Sequence, residues 1–249
     1  MNFQHFFDTK ETVPPGLSWD HYCPYHLLWL AGMVIFIILL SMHYRKRDAK
    51  TRGKWRKVLG GLIFGAEMLK LAVLMVTGTY THSYLPLHLC SLSILLIALH
   101  AWRPGVITDN YLYGICIPGA MVAMLFPDWT MLPALNYMHL HSFAIHVLLV
   151  AYPVMVTVGG DLKPDWRQLP KCLLFIACLA VPVYLFNLKF DTNFMFLMYA
   201  DPGNPLYIFE QMWGNHLLGL PVLMAAVVVI MHGPRILFKG VCERRSSVY

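Results

Sequence analysis

Charged side chains are scarce in this sequence. Asp, Glu, Lys and Arg make up 13% of its 249 residues, whereas a soluble domain carries about 25%. Apolar residues make up 58%, and the mean hydropathy is +0.56. The sequence also lacks a basic groove with interleaved aromatic residues, the pattern that a nucleic-acid-binding protein needs. A soluble globular domain is therefore excluded, and no nucleic-acid partner is expected.

Signals for disulfides, metals and processing are lacking as well. The six cysteines are scattered and show no CxxC spacing, so the sequence predicts neither a disulfide framework nor a metal site. The first residues, "MNFQHFFDTK", have no positive n-region and no apolar h-region, so a cleavable signal peptide is not expected. No internal repeat is recognised, and no cofactor is predicted.

Long apolar runs are plentiful. A helix of about 18 or more apolar residues crosses a hydrocarbon core of about 30 Å. The connections are brief, which predicts an all-α, polytopic membrane helical bundle that forms a single transmembrane domain over residues 1–249 of a multi-pass cell-membrane protein. We predict seven spans, the fourth being short and containing Pro118, at about 26–43, 57–77, 84–101, 111–126, 134–158, 169–187 and 215–232.

Basic residues are distributed asymmetrically among the connections. The stretch "YRKRDAKTRGKWRK" between the first two spans carries eight of them. If this loop is cytoplasmic, sixteen of the nineteen Lys and Arg residues lie on that side. The positive-inside rule then places the N-terminus outside and the C-terminus in the cytoplasm. Residues 1–25 become an extracytoplasmic tail, and residues 233–249 become a basic cytoplasmic tail next to anionic lipid.

One outer segment has an unusual composition. "KFDTNFMFLMYADPGNPLYIFEQMWGNH" is apolar in its middle but too short to cross the membrane, and "DPGNP" is typical of a turn. The pattern predicts a re-entrant or interfacial segment near 189–214. An amphipathic loop that rests on the outer leaflet is an equally good interpretation.

Two ionisable residues lie inside the second span. Glu67 and Lys70 are three residues apart, so they share a helix face and can neutralise each other. A structural ion pair is the favoured interpretation. The alternative is a midplane site of a lipid or small-molecule transporter or binding protein, completed by the broken segment 189–214. Nearby, the pattern Gly61-x-x-x-Gly65 predicts close helix packing.

Histidine and cysteine occur together in the third and fifth spans. His139 and His146 share one face of the fifth span, from which His141 points away. In "YLPLHLCSLS", His88 and Cys90 do not face each other within one helix. Both spans run from the outer side inward, so Cys90 can meet His146 in the outer half of the bilayer. A pair with His139 or His141 is also allowed.

A thiol beside an imidazole is a candidate nucleophile, because the imidazole can take its proton. Taken alone, the pattern more often marks a packing cysteine and a hydrogen-bonded histidine. A b-type haem protein is the least favoured rival, with axial ligands from two helices among His88, His100, His139, His141 and His146.

Three stretches resemble a known family. "LPLHLCSLSILL", "HSFAIHVLLVAYPVMV" and "NFMFLMYADPGNPLYIFE" resemble the YwaF-like bacterial integral membrane proteins and their eukaryotic relatives, the transmembrane protein 164 acyltransferases. The eukaryotic branch is regarded as moving polyunsaturated acyl chains between phospholipids, using a cysteine and a histidine. By this resemblance the cysteine falls on Cys90. The histidine falls on His146, in "HVLLVAYP".

The resemblance implies a membrane-embedded phospholipid acyltransferase, or transacylase, that works through an acyl-thioester. Cys90 would be the nucleophile, and His146 would act first as base and then as acid. The partners would be the lipid bilayer, a phospholipid donor and a lysophospholipid acceptor. If water were the acceptor instead, the protein would be a membrane lipase. The sequence does not define an oligomeric state.

Four further residues are candidates for supporting roles in this chemistry. His88 or Asn193 would donate a hydrogen bond to the oxyanion. His139 or Glu67 would orient the imidazole of the base. None of these side chains is expected to bind a metal.

Overall fold

The computed structural model describes residues 4–246 and the side chains of residues 4–234. Within that part the chain is helical, as the sequence predicts. The α-helices follow one another as α1 Pro24–Arg45, α2 Ala49–Val76, α3 Leu89–Trp102, α4 Val106–Tyr111, α5 Ile117–Leu125, α6 Tyr137–Val158, α7 Leu169–Phe190, α8 Pro205–Trp213 and α9 Gly219–Ser246.

Five helical stretches are long and apolar enough to cross a membrane. They correspond to the first, second, fifth, sixth and seventh predicted spans, so the prediction of an all-α, multi-pass membrane protein is confirmed. Their bounds are Pro24–Arg45, Ala49–Val76, Tyr137–Val158, Trp166–Phe190 and His216–Pro234.

The third and fourth predicted spans take other forms. The third is a 3₁₀ turn, His82–Tyr84, followed by the 14-residue helix α3. The fourth is a continuous helical run in which a π-helical stretch, Leu112–Cys116, joins α4 to α5. Pro118 is the second residue after this stretch and has no backbone N–H to donate, which favours a local break in the regular α-helical ladder. The count of seven spans and their orientation stay predictions.

Helix α6 lies at the centre of the bundle. It packs against α1, α2, α3 and α5. Of its most apolar window 61% is buried, whereas the other four long stretches bury between 11% and 28% of theirs. Side chains of α6 therefore face protein on most sides, and a polar side chain there needs a protein partner.

The N-terminal segment packs over the predicted outer end of the bundle. The Asn136 side chain donates hydrogen bonds to the carbonyls of His5 and Asp8, at 2.8 and 2.9 Å. The Trp19 N–H donates to the carbonyl of Thr130 at 3.0 Å. The predicted outer tail is thus a covering layer, held by the loop that precedes α6.

The predicted outer segment contains two different parts. Phe194, in the 3₁₀ turn Phe194–Phe196, is buried in protein, as re-entrant backbone must be. Helix α8 instead exposes Ile208 and Met212 on one face, as an interfacial helix does. The position of this segment relative to the bilayer stays a prediction. At the other end of the chain, α9 runs on through residues 233–246, while most side chains of the predicted tail 233–249 lie outside the described residues.

Candidate active site

His146 lies in the third turn of α6 with its imidazole buried. Its Nδ1 is 2.7 Å from the carbonyl oxygen of Ser142, four residues earlier. A carbonyl only accepts, so Nδ1 carries the proton and donates it to this bond. In the neutral ring, Nε2 is then left with a free lone pair. The backbone of α6 therefore fixes the tautomer that a general base requires.

The lone pair of Nε2 faces a thiol. Sγ of Cys90 lies 3.2 Å from Nε2 of His146, across the boundary between α3 and α6. Because Nε2 accepts, the thiol donates. Among the candidate side chains named from the sequence, these two are brought into direct contact.

Cys90 is the second residue of α3, which begins much later than the predicted span. The first backbone hydrogen bond of the helix joins the Leu92 N–H to the His88 carbonyl, at 3.0 Å. Among the described residues, the N–H groups of Leu89, Cys90 and Ser91 make no hydrogen bond. Cys90 therefore belongs to the first turn of α3, which carries three unbonded N–H donors and the positive end of the helix dipole. Such a place stabilises negative charge on sulfur or on a nearby oxygen.

His88 connects the same helix end to the outer segment. Its Nδ1 accepts a hydrogen bond from the Met195 N–H at 3.4 Å, and its ring meets Phe194 edge to face, with centroids 4.9 Å apart. Since Nδ1 accepts, Nε2 carries the proton of the neutral ring. His88 thus keeps one N–H donor, two residues before Cys90.

Trp129 is a neighbour of the pair that the sequence reasoning missed. Its indole stacks on the imidazole of His146, with centroids 5.1 Å apart and an interplanar angle of 23°. The side chain is 4% exposed. Its Nε1–H is buried and has no hydrogen-bond partner among the described side chains. A tryptophan in the loop stretch "FPDWT" has no helical periodicity, so only its bulk in a short connection could have drawn attention to it.

Asp128 precedes this tryptophan and bears a charge close to the site. It forms an ion pair of 2.9 Å with Lys10 of the N-terminal segment, and it interacts electrostatically with His88 and His146. Desolvation raises the pKa of the Asp128 carboxyl, while the ammonium of Lys10 lowers it, and the second effect prevails. The site therefore has a carboxylate at its predicted outer side.

His139 and Glu67, the two candidates for orienting His146, have other partners. Nε2 of His139 lies 2.9 Å from the hydroxyl of Tyr25. Glu67 is buried and pairs with Lys70 at 2.6 Å. His141 lies 3.8 Å from the same carboxylate. The carbonyl of Ser142 occupies the orienting position beside Nδ1 of His146.

Asn193 uses both ends of its side chain within its own loop. The amide nitrogen donates to the carbonyl of Tyr199 at 3.0 Å, and the amide oxygen accepts from the Met198 N–H at 3.1 Å. These bonds shape the turn that brings Met195 to His88. The side-chain amide of Asn193 therefore stabilises its own loop and forms no hydrogen bond with Cys90 in this structure.

The remaining histidine of the haem alternative also has protein partners. His100 lies 2.8 Å from the Tyr152 hydroxyl and 3.1 Å from a carboxylate oxygen of Asp109, and it is fully buried. Among the described side chains, no group of three or more His, Cys, Asp or Glu has the geometry to hold a metal ion.

An apolar groove of about 540 Å³ lies between α1 and α6. Ala144 and Leu148 are two residues to either side of His146, so the groove opens on the opposite face of α6. Its apolar lining suits a lipid chain. The α1 and α6 side chains that line it include Trp29, Met33, Phe36, Ala144, Val147 and Leu148.

Comparison with known proteins gives one assignment. The model of the TMEM164 family matches residues 16–232, which include α1 to α8, the outer segment, Cys90 and His146. No curated protein and no solved structure matches the chain. The matched region covers most of the sequence, and its helices are those of a multi-pass integral membrane protein. The chain belongs to the TMEM164 family.

Proposed function

We propose that the protein transfers a fatty acyl chain between phospholipids through a thioester on Cys90. The observation that carries this proposal is the contact of 3.2 Å between Sγ of Cys90 and Nε2 of His146, with the lone pair of Nε2 fixed by the bond from Nδ1 to Ser142. A packing cysteine needs no proton acceptor, whereas a nucleophilic cysteine does.

The first half-reaction forms the thioester. Nε2 of His146 takes the proton of Cys90, and the thiolate attacks the ester carbonyl carbon of a phospholipid. The free N–H groups at the start of α3, and the Nε2–H of His88, are the donors closest in sequence to the thiol, and in this proposal they stabilise the oxyanion. The carbon–oxygen ester bond breaks, and His146 gives its proton to the departing glycerol oxygen. The products are a lysophospholipid and acyl-Cys90.

The second half-reaction reverses the roles. The hydroxyl of a different lysophospholipid gives its proton to Nε2 of His146 and attacks the thioester carbonyl. The carbon–sulfur bond breaks, and His146 returns the proton to the sulfur. Water in place of the lysophospholipid would release a free fatty acid. The N-terminal segment that covers the outer end of the bundle favours the lipid acceptor, because it restricts the access of bulk water to the site.

Intact mass spectrometry of the purified protein tests this proposal. After incubation with a phospholipid of defined acyl chains, the wild-type protein is expected to gain the mass of one acyl group, which hydroxylamine removes. Cys90→Ser is expected to gain no hydroxylamine-sensitive mass, and His146→Ala only a small fraction of it. Cys178→Ser is the matched control, because Cys178 is an exposed cysteine of α7.

Two results would contradict the proposal. One is a hydroxylamine-sensitive acyl adduct that persists in Cys90→Ser. The other is the absence of both an adduct and released lysophospholipid in the wild-type protein, provided that the protein is folded in lipid nanodiscs.

A lipid-binding or transport role without covalent chemistry is the second candidate. The groove between α1 and α6 supports it, because this cavity is apolar and large enough for part of a lipid chain. Such a protein would bind or move lipid equally well after Cys90→Ser. Lipid binding that survives this substitution, without any adduct in the wild type, would favour this second role.

A further inference from the structure

We propose that Trp129 is a positioning residue for His146, and that it stabilises the imidazolium formed when the imidazole takes the proton of Cys90. This inference rests on the proposed function for its biological meaning. The indole and the imidazole face each other at 5.1 Å, nearly in parallel. A cation over the face of an indole is attracted by the negative charge of that face, and tryptophan is the best of the aromatic side chains at this.

The indole is held by packing against aromatic and apolar side chains. Its second aromatic neighbour is Phe143, whose ring meets it edge to face at 5.3 Å and 88°. Phe143 in turn stacks on Trp29 of α1, with centroids 4.8 Å apart. The unpartnered Nε1–H means that no hydrogen bond among the described side chains fixes the indole. Its position is therefore set by packing, of which the face-to-face contact with His146 is one part.

The loop that carries Trp129 is anchored by the N-terminal segment. The Trp19 N–H donates to the carbonyl of Thr130 at 3.0 Å, and the Trp19 indole donates to the carbonyl of Leu132 at 3.1 Å. The Leu132 N–H returns a bond to the carbonyl of Trp129 at 3.2 Å. These bonds hold the loop backbone from Trp129 to Leu132, from which the indole stacks on His146.

Titratable groups as well as the indole act on the charge of the His146 imidazole. Cys90 faces it from α3, Asp128 from the same loop as Trp129, and His88 and His141 interact with it from the start of α3 and from α6. Among them, Asp128 acts in the same direction as the indole face, although Lys10 neutralises part of its charge. Trp129 and Asp128 are thus neighbours in sequence that favour the same charged state of His146.

The consequence is measurable at the thiol. Every interaction that stabilises the imidazolium favours the thiolate–imidazolium pair over the thiol–imidazole pair. The thiolate of Cys90 then exists at lower pH than it would without Trp129. Removal of the indole should move the pH profile of Cys90 alkylation upward by about 1 pH unit, as expected for a partly desolvated cation–π contact.

The experiment measures the rate of Cys90 alkylation by iodoacetamide in the full-length protein in nanodiscs, between about pH 5 and pH 10. Trp129→Leu should shift the profile by the full amount, and Trp129→Phe, which keeps an aromatic face, by about half of it. Asp128→Asn should shift the profile in the same direction. Peptide-resolved mass spectrometry reads Cys178 in the same sample, and its profile must not move, because Cys178 is an exposed cysteine of α7, whereas Cys90 and His146 belong to α3 and α6.

A merely structural role for Trp129 would change the amount of folded protein but not the position of the pH profile. Superimposable profiles for Trp129→Leu and wild type, in samples with equal monodispersity on size exclusion, would overturn the inference. Trp129→Phe preserves most of the ring volume, so it supplies a folded comparison if the leucine variant does not fold.

The outcome is independent of acyl transfer. A shifted profile without any acyl adduct would retain the role of Trp129 while refuting the transferase. An adduct with an unshifted profile would do the reverse.

Discussion

Substitutions of the buried pair Glu67 and Lys70 test whether these two charges stabilise the fold or serve a function. Glu67 Oε1 lies 2.6 Å from Lys70 Nζ, and the two side chains are 4% and 12% exposed. Glu67→Gln keeps the shape but leaves the ammonium without its counter-ion. Removal of one partner of a buried ion pair costs about 3–5 kcal/mol. At about 2–4 °C per kcal/mol for a chain of this size, the melting temperature should fall by roughly 6–20 °C.

His141 makes the two single variants unequal. Its Nε2 lies 3.8 Å from Glu67 Oε2, so after Lys70→Met the carboxylate keeps a neighbour that can take a proton. After Glu67→Gln, the ammonium of Lys70 has no described acidic partner. Lys70→Met should therefore cost less than Glu67→Gln. The double variant removes both charges and should recover most of the loss, because buried pairs are often close to neutral against uncharged residues of similar volume.

The assay is the unfolding transition of detergent-purified protein, followed by intrinsic tryptophan fluorescence at one fixed scan rate, since unfolding of such a protein is expected to be irreversible. A double variant as unstable as Glu67→Gln would refute the argument that charge compensation holds the pair. A double variant that is stable but has lost both acyl transfer and lipid binding would instead restore the functional interpretation of Glu67 and Lys70.

Two further predictions concern packing and capping. Gly60→Ala should lower the free energy of unfolding by about 1–3 kcal/mol, because the new methyl group would lie 2.7 Å from Cβ of Ala101. Gly61→Ala is the control and should be nearly neutral, because the nearest atom to its new methyl group is 3.8 Å away. Equal melting temperatures for the two variants would contradict the prediction. Asn136→Ala removes the cap of α6 and both hydrogen bonds to the N-terminal segment. It should therefore lower the free energy of unfolding by about 2–4 kcal/mol and speed proteolysis of residues 4–20. Asn136→Asp keeps the cap but loses the two bonds, so its stability should lie between those of wild type and Asn136→Ala.

Helices that depend on long apolar runs could be predicted from the sequence, and those that depend on tertiary contacts could not. The five long stretches need only length and composition to be recognised. Helix α3 has 14 residues, and its start at Leu89 is set by Pro86, the preceding turn and contacts with α2 and α6. The apolar run continues across that boundary, so hydropathy alone places the span too early. The consequence is functional, because Cys90 lies in the first turn of the helix.

The pattern Gly61-x-x-x-Gly65 predicts the right helix but the wrong glycine. Gly60 is the residue at which α2 approaches α3 closely, whereas Gly65 has no neighbour within 4 Å of a Cβ. Spacing identifies a stripe of small residues, but the rotation of the helix decides which of them faces a neighbour. Trp129 and Asp128 could not be assigned to the site for a similar reason. They lie in a loop, and no sequence periodicity predicts that Trp129 stacks on His146 or that Asp128 pairs with Lys10, more than a hundred residues earlier.

Cys90 and Cys116 show why residue type alone does not define the site. Both thiols are donors beside α6, and Cys116 is the more deeply buried. The thiol of Cys116 donates to the carbonyl of Leu149 at 3.3 Å. That carbonyl lacks its usual helical donor, because the residue four positions later is Pro153.

A carbonyl oxygen accepts a hydrogen bond but does not take the proton, whereas the imidazole of His146 does both. Of these two thiols, only that of Cys90 can therefore become a thiolate through its neighbour, and only Cys90 stands at the positive end of a helix with free N–H groups. A hydroxylamine-sensitive acyl group mapped to Cys116 would contradict this reasoning directly, since it would require a thiolate where the structure provides no base.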